Sequence, residues 1–345
     1  MSGELSSAAE WFARFEPVAP PASQPRRPDD PRLGEITRFW RGDTIPIESG
    51  RAVLIGFVVD EGVRRNHGRI GAAAAPNVIR RWLYRLTPGD GQAGIDLTDC
   101  PPLDLGNLRM TGDLEDAQQA LATLVAPLLQ AGAIPVILGG GHETAFGHFL
   151  GYVEAAKPVS IVNVDAHLDV RPCIDGLGHS GSPFRQAMEH PVRPLPGHRY
   201  TCLGAQPHGV SRQHLEYVLG RGGVIRWCDG VRHSLADHFQ HELGRLKEPG
   251  CSIYVTLDAD AVRTADVPGV SAPNATGLPA EALLTCARLA GSCREVSSFD
   301  LVEINPRLDR DDQSAHWGAL VIWNFLLGLA TRHRPRTIDT FSGLI

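Results

Sequence analysis

The 345-residue chain carries 33 Lys and Arg against 39 Asp and Glu, a formal net charge of −6. This mildly acidic balance excludes nucleic acid and an anionic membrane as main partners, and no apolar run reaches the roughly 18 residues of a membrane span. With 43% hydrophobic and 21% charged residues, the composition is that of a globular protein long enough to bury a full core.

In chain order, residues 1–50 read as an extended arm, because the prolines at 17–21 and 26–31 block regular helix and central strand. From residue 52 short apolar runs alternate with longer amphipathic stretches. The spacing predicts strands at Ala52–Val59, Ile134–Leu138, Ser160–Val164, Tyr200–Leu203, Val224–Trp227, Ser252–Leu257 and Glu295–Leu301. These runs are β-branched and apolar on both faces, as strands covered on both sides must be. Helices are predicted over Ala73–Leu86, Asp113–Gln130, Ser211–Leu219, Leu235–Leu246, Pro279–Leu289 and Gln313–Ala330. The first of them carries Val78, Ile79, Trp82, Leu83 and Leu86 on one stripe. Strands separated by helices imply a doubly wound α/β fold with a mainly parallel central sheet. One domain over residues 51–345, preceded by the extension 1–50, is the expected organisation. The seven cysteines are odd in number and form no Cys-x-x-Cys pair, which argues against a disulfide scaffold or a thiolate zinc site. The polar, Pro-rich start reads as no secretory signal, so a cytoplasmic enzyme is expected.

Three of the predicted strands run straight into polar clusters. Gly139-Gly140-Gly141-His142-Glu143 follows the second strand, Asp165-Ala166-His167-Leu168-Asp169 the third, and Asp258-Ala259-Asp260 the sixth. Ligand sites of open α/β sheets lie outside the carboxyl ends of strands, where these clusters fall. Asp165, His167 and Asp169 share a face if the chain stays extended, and so do Asp258 and Asp260. A single Asp-x-His is the usual make-up of a surface turn, and a single Asp-x-Asp of a helix cap. Three such clusters at three strand ends are another matter. Two His and four Asp gathered at one place cannot stay ionised and buried without cations. Oxygen and nitrogen donors without sulfur suit Mn²⁺ more than Zn²⁺, and four carboxylates balance two divalent ions. A one-zinc deacetylase uses a similar Asp-x-His pair, but the added Asp258 and Asp260 fit two metals better.

These clusters, followed by Glu303-Ile304-Asn305-Pro306, resemble the signature set of the ureohydrolase superfamily, which contains arginase, agmatinase, guanidinobutyrase and formimidoylglutamase. The resemblance covers residue 52 onward and implies an arginase-like three-layer sandwich. It also implies that His142, Asp165, Asp169 and Asp258 ligate one Mn²⁺, and Asp165, His167, Asp258 and Asp260 a second. Asp165 and Asp258 would then bridge the pair, and Glu303 would grip the amidine or guanidine nitrogens; collapse of the intermediate needs a proton on the leaving nitrogen, for which Asp260, a modest acid as a metal ligand, is one candidate shuttle. A homo-oligomer, trimer or hexamer, is implied as well.

Four local runs are most similar to the formimidoylglutamase branch. They are Asp60–Asn66 with Gly68-Arg69, Gly141–His148, Asp169-Val170-Arg171-Pro172 and Ser180–Gln186. The branch's substrate, N-formimino-L-glutamate, carries two carboxylates, and arginine is the side chain that binds carboxylates bidentately. Arg171, two residues past a metal ligand, is the first candidate for that contact, with Arg65 and Arg185 behind it. Agmatine ends in a second cation, which an Arg-rich pocket repels. The alternative, a guanidine hydrolase releasing urea, rests on His179. A one-residue register change would put His179 where agmatinases carry a His. A non-enzymatic relative is disfavoured by the intact ligand set. His148, six residues past His142, reads as structural, and the Pro/Gly loop Val267–Gly277 reads as a border of the entrance.

Overall fold

The computed structural model describes residues 13–18, 29–42, 47–110 and 112–332. Its strands are β1 (Phe15–Glu16), β2 (Arg38–Phe39), β3 (Ala52–Gly56), β4 (Gly89–Asp90), β5 (Ile95–Asp96), β6 (Leu103–Leu108), β7 (Ile134–Leu138), β8 (Val159–Val164), β9 (Tyr200–Ala205), β10 (Val224–Trp227), β11 (Ser252–Asp258) and β12 (Val296–Val302). The helices are α1 (Leu33–Ile36), α2 (Glu61–Arg65), α3 (Ala75–Leu83), α4 (Leu114–Gln130), α5 (Thr144–Glu154), α6 (Pro183–Met188), α7 (Arg212–Gly220), α8 (Cys228–Val231), α9 (Leu235–Arg245), α10 (Ala280–Ser292) and α11 (Gln313–Thr331). Among the described residues no helix is long and apolar enough to cross a membrane.

Apart from the small β4–β5 ribbon, the strands form one sheet in the order β1-β6-β3-β7-β12-β11-β8-β9-β10, with β2 beside β6. All its pairings are parallel except β1 with β6. Alternate residues of each strand enter different cores. Leu54, Val136, Val162 and Val255 join Ile79, Leu83, Leu283 and Phe325 from α3, α10 and α11. Ile55, Ile137, Ile161 and Tyr254 join Leu121, Val125, Phe149 and Phe184 from α4, α5 and α6. Helices thus cover both faces, giving the three-layer α/β sandwich expected from the two-sided apolar strands.

In the main sheet, two features depart from the expectations. β6, Leu103-Asp-Leu-Gly-Asn-Leu108, was not predicted. Its buried Asp104 and Asn107 are satisfied by the buried Arg80 of α3, whose guanidinium takes both Asp104 oxygens, at 2.8 and 3.0 Å. The described parts of the N-terminal 50 residues also join the sheet. β2 runs along Leu103–Asp104 and β1 along Asn107–Leu108, so two short strands share the outer edge of β6. Phe15 and Leu33 are fully buried, and residues 19–28, which hold part of the Pro-rich sequence, lie outside the described residues.

Candidate metal centre

The four strands that precede the polar clusters are neighbours in the sheet, in the order β7-β12-β11-β8, so their C-terminal ends bring the clusters side by side. After β7 the chain turns through Gly139–Gly141 to His142. A Cβ on Gly140 would fall 1.6 Å from the Val59 carbonyl oxygen beyond β3, so only glycine passes there. After β8 and β11 the same local turn recurs. Asp165 Oδ1 accepts the His167 N–H, and Asp258 Oδ1 the Asp260 N–H, each at 2.7 Å. After β12, Glu303 takes a left-handed backbone (φ 65°) and Asp169 does the same (φ 47°), conformations that non-glycine residues hold only under constraint. For Glu303 the constraint is visible. Its N–H donates to Gly140 O, and its Oε1 accepts the His142 N–H, both at 2.8 Å.

His142 Nδ1 faces Asp169, Asp258 and Asp165 carboxylate oxygens at 2.9, 3.0 and 3.3 Å, yet it makes no hydrogen bond with them. His167 Nδ1 lies 3.3 Å from Asp260 and 3.4 Å from Asp165. The donor atoms fall into two groups, His142/Asp165/Asp169/Asp258 and Asp165/His167/Asp260, each within 4.8 Å. Asp165 belongs to both, whereas Asp258, expected to bridge as well, groups only with the first. Without cations this assembly is overloaded with charge. Burial alone would lower the His142 imidazole, but Asp165, Asp169 and Asp258 hold it well above its ordinary value. The Asp260 charge does the same for His167. Burial and the neighbouring Asp260 and Asp165 charges push Asp258 well up, and burial raises Asp169 and Asp260. An imidazole nitrogen without a hydrogen bond, ringed by carboxylate oxygens, fits a shared cation, and the sulfur-free donor set fits Mn²⁺.

The centre forms the floor of a cleft of about 210 Å³, which Asn66, Gly68, Ser180, Ser271 and Ala272 line at its walls and Glu303 at its side. Burial first, then the Glu143 and Asp260 charges, raise the Glu303 carboxyl well above the carboxylate range. Arg171 also lines the cleft. It is exposed, and Asn66 Oδ1 accepts one of its N–H groups at 3.2 Å while Asn66 itself donates to Ser180 Oγ. Arg65 and Arg185 do not line it. Arg65 is gripped by both Glu115 oxygens at 2.6 and 3.0 Å, with further bonds to Glu61 and Gly178 O. Arg185 pairs with Glu189 at 3.2 Å and lies over the Tyr217 ring. His179 is buried, and both ring nitrogens are engaged by backbone, Nδ1 by Gly181 N–H and Nε2 by Pro172 O, each at 3.1 Å. It therefore does not take the place of an agmatinase-like shuttle. Ser271 and Ala272 bear out the border assigned to loop Val267–Gly277. Asn66 and Glu143 carry no signal of their own in the sequence beyond their places in Asp60–Asn66 and Gly139–Glu143. Burial pushes the Glu143 carboxyl up to about 7, and its Oε1 accepts the Gly62 N–H at 2.7 Å, fixing α2 against the centre.

Comparison with known proteins bears on this site. The family model described as "Arginase family" matches residues 50–328. The formimidoylglutamase of Klebsiella pneumoniae (strain 342) is 36% identical over 277 residues, 79% of this chain and 84% of its own length. That of Salmonella heidelberg (strain SL476) is 35% identical over 323 residues, 92% and 96% of the two chains. The crystal structure of Trypanosoma cruzi formiminoglutamase with Mn²⁺ superposes with a TM-score of 0.81 at 31% identity, covering 88% of this chain and 100% of that one. The protein belongs to the arginase family.

Proposed function

We propose that this protein is a dimanganese hydrolase of linear amidines that converts N-formimino-L-glutamate and water to L-glutamate and formamide. The observation that carries the reading is one cleft holding a two-cation donor set, a carboxylate and an arginine: the two groups around Asp165, Glu303 beside them, and Arg171 on the wall. The Klebsiella and Salmonella relatives, named for this activity, support it at 36% and 35% identity, and the T. cruzi relative's Mn²⁺ supports the choice of cation.

In this reading His142, Asp165, Asp169 and Asp258 would hold one cation, and Asp165, His167 and Asp260 the other. Divalent cations so placed supply a hydroxide nucleophile at neutral pH. The remaining tasks fall to side chains. Glu303 accepts N–H bonds from the planar amidine cation and sets its carbon over the floor of the cleft. Arg171 pairs with a substrate carboxylate, steadied by Asn66. The water oxygen bonds to the formimino carbon and the bond from that carbon to the glutamate nitrogen breaks. Asp260 passes a proton to that nitrogen, which leaves as the amine. A guanidine substrate ending in a cation is disfavoured by Arg171. A cytoplasmic trimer or hexamer completes the reading, with light scattering as the check on assembly.

The deciding experiment is product release by the Mn²⁺-loaded protein from formiminoglutamate, agmatine, arginine and 4-guanidinobutyrate in parallel. Formamide and glutamate from the first alone are expected. Urea from a guanidine substrate would overturn the assignment.

A further inference from the structure

Besides the cation ligands and Glu303, four polar side chains line the cleft: Asn66, Arg171, Ser180 and Ser271. Three of them form one row. Arg171 donates to Asn66 Oδ1 at 3.2 Å, and Asn66 Nδ2 donates to Ser180 Oγ at 3.1 Å. Gly181 lets the Arg171 stem pass, since a Cβ there would fall 2.9 Å from Arg171 Cδ. A substrate carboxylate on Arg171 therefore meets this row as a unit. Ser271 stands apart, on the loop Val267–Gly277, and is held from two sides. Arg69 grips the Ser271 carbonyl oxygen with Nε at 3.0 Å and Nη2 at 2.8 Å, and the Arg69 backbone N–H donates to Ser271 Oγ at 2.8 Å. Gly68 admits that approach, because a Cβ there would fall 2.9 Å from the same hydroxyl oxygen. On the other side Val270 forms a β-bridge with Ile304, the residue after Glu303. The Asn305 N–H donates to Gly269 O at 2.7 Å, and Asn305 Nδ2 to Arg69 O at 2.9 Å. Ser271 and Glu303 thus hang from the same joint, and the spacing between them is built into the fold.

A serine hydroxyl has one proton to give and two lone pairs with which to accept. Arg69 occupies one lone pair of Ser271 Oγ, and no acceptor among the described residues takes the proton. A hydroxyl held in place by an incoming N–H is ready to donate to an anion, the stronger kind of hydrogen bond. Formiminoglutamate brings two carboxylates, and the Arg171 row answers one. Among the described residues the cleft offers no second guanidinium or ammonium group, for Arg65 and Arg185 are tied to Glu115 and Glu189. The other carboxylate would lose its water without compensation unless a neutral donor met it.

We infer that Ser271 is a specificity-determining residue, its hydroxyl donating to the substrate carboxylate that Arg171 leaves free. The inference rests on the formiminoglutamate reading proposed above. It makes the cleft a gauge of the substrate, with the amidine on Glu303 and its two carboxylates on two separate loops.

The test crosses shortened substrates with shortened side chains in the Mn²⁺-loaded, full-length protein. N-formimino-4-aminobutyrate lacks the carboxylate next to the formimino nitrogen, and N-formimino-L-2-aminobutyrate lacks the distal one. Each is followed as a substrate or, where turnover is slow, as a competitive inhibitor. Ser271→Ala is expected to raise KM for formiminoglutamate by about 10–100-fold and to leave kcat nearly unchanged. One of the two shortened compounds should bind Ser271→Ala and wild type equally while still losing affinity to Arg171→Ala, and the other should show the reverse. Ser271→Cys keeps the size and is a weak donor, so it should match Ser271→Ala and reads the same quantity if the alanine variant does not fold, with thermal unfolding as the check. A wild-type KM in the folded variant overturns the inference. So does a single shortened compound that absorbs the effects of both Ser271→Ala and Arg171→Ala, since the two side chains would then share one carboxylate. A wild type that releases no formamide from formiminoglutamate removes the functional reading and this inference with it. One that does release it, with Ser271→Ala unaffected, leaves that reading standing and removes only Ser271 from the pocket.

Discussion

Two arginines illustrate how position, more than residue type, decides a task. Arg171 stands exposed on the cleft wall with one N–H held by Asn66, which leaves the rest of its fork for a ligand. Arg65 spends its fork on Glu115 and the Gly178 carbonyl. The two should therefore fail differently when truncated. Arg171→Ala is expected to raise KM for formiminoglutamate by about 10–100-fold, the worth of a charge-assisted pair of hydrogen bonds, and to leave unfolding within about 0.5 kcal/mol of wild type. Arg65→Ala should cost about 1–2 kcal/mol of stability and leave KM unchanged. Steady-state kinetics and urea unfolding on both variants measure this, and a wild-type KM for Arg171→Ala would remove Arg171 from the pocket.

The centre itself makes a prediction about protons. In the metal-free protein the surrounding carboxylates hold His142 and His167 well above their ordinary values, and burial holds Asp258 well above its own, so these groups keep their protons more tightly than free side chains do. Cations need the unprotonated forms. Mn²⁺ binding should accordingly release protons, and apparent affinity should climb as pH rises. Calorimetric titrations in two buffers of different ionisation enthalpy would reveal the release as a difference in heat. Identical heats would mean that the site is already deprotonated and that the charge argument is wrong.

At the scale of elements, the far edge of the sheet depends on one buried acid. Glu242 of α9 is solvent-free and joins three residues: Arg226 of β10 at 2.5 and 2.8 Å, Thr201 of β9 at 3.1 Å and Arg245 of its own helix at 2.7 Å. Burial alone would raise its carboxyl, but the hydrogen bonds and charges of Arg245 and Arg226 hold it below the usual value. A lowered folded value means that the stabilisation is present above the unfolded pKa and is lost as pH falls through the folded one. Glu242→Gln is therefore expected to cost about 2 kcal/mol at pH 7. The gap to wild type should narrow from about pH 4 downward, as chemical unfolding across pH would show. A gap independent of pH would mean that shape, and not charge, ties α9 to the edge. The same scale shows why some elements were legible in the sequence and others were not. The strands β7, β8 and β11 announce themselves as β-branched runs whose ends carry the ligands, all within one local stretch. β6 does not, since Asp104, Gly106 and Asn107 are turn-forming residues that become strand only because Arg80, 24 residues earlier, satisfies them. Arg65 misled for the same reason, its partner Glu115 lying 50 residues away. Local chemistry is readable from spacing, but pairings made by the fold are not.

Across the whole molecule the division of labour follows the sheet. Its four central strands, β7, β12, β11 and β8, carry the metal centre, and the strands outside them give the sheet width and cover. At one margin β1 and β2 lie along β6, and Phe15 is fully buried there with its ring edge-on to Trp40 at 5.7 Å. Arg109 reinforces this by donating to Phe15 O at 2.7 Å. Two strands, β6 and β3, separate that margin from β7, so strain introduced at Phe15 has a packed core to cross before it reaches His142. Phe15→Ala should then cost about 3–5 kcal/mol through the cavity it leaves, while kcat/KM per folded molecule at 25 °C stays at the wild-type value. Thermal unfolding and active-site-normalised kinetics separate the two effects. A fall in kcat/KM without unfolding would show that the N-terminal strands reach the reaction, and the margin would have to be counted as part of the catalytic machinery.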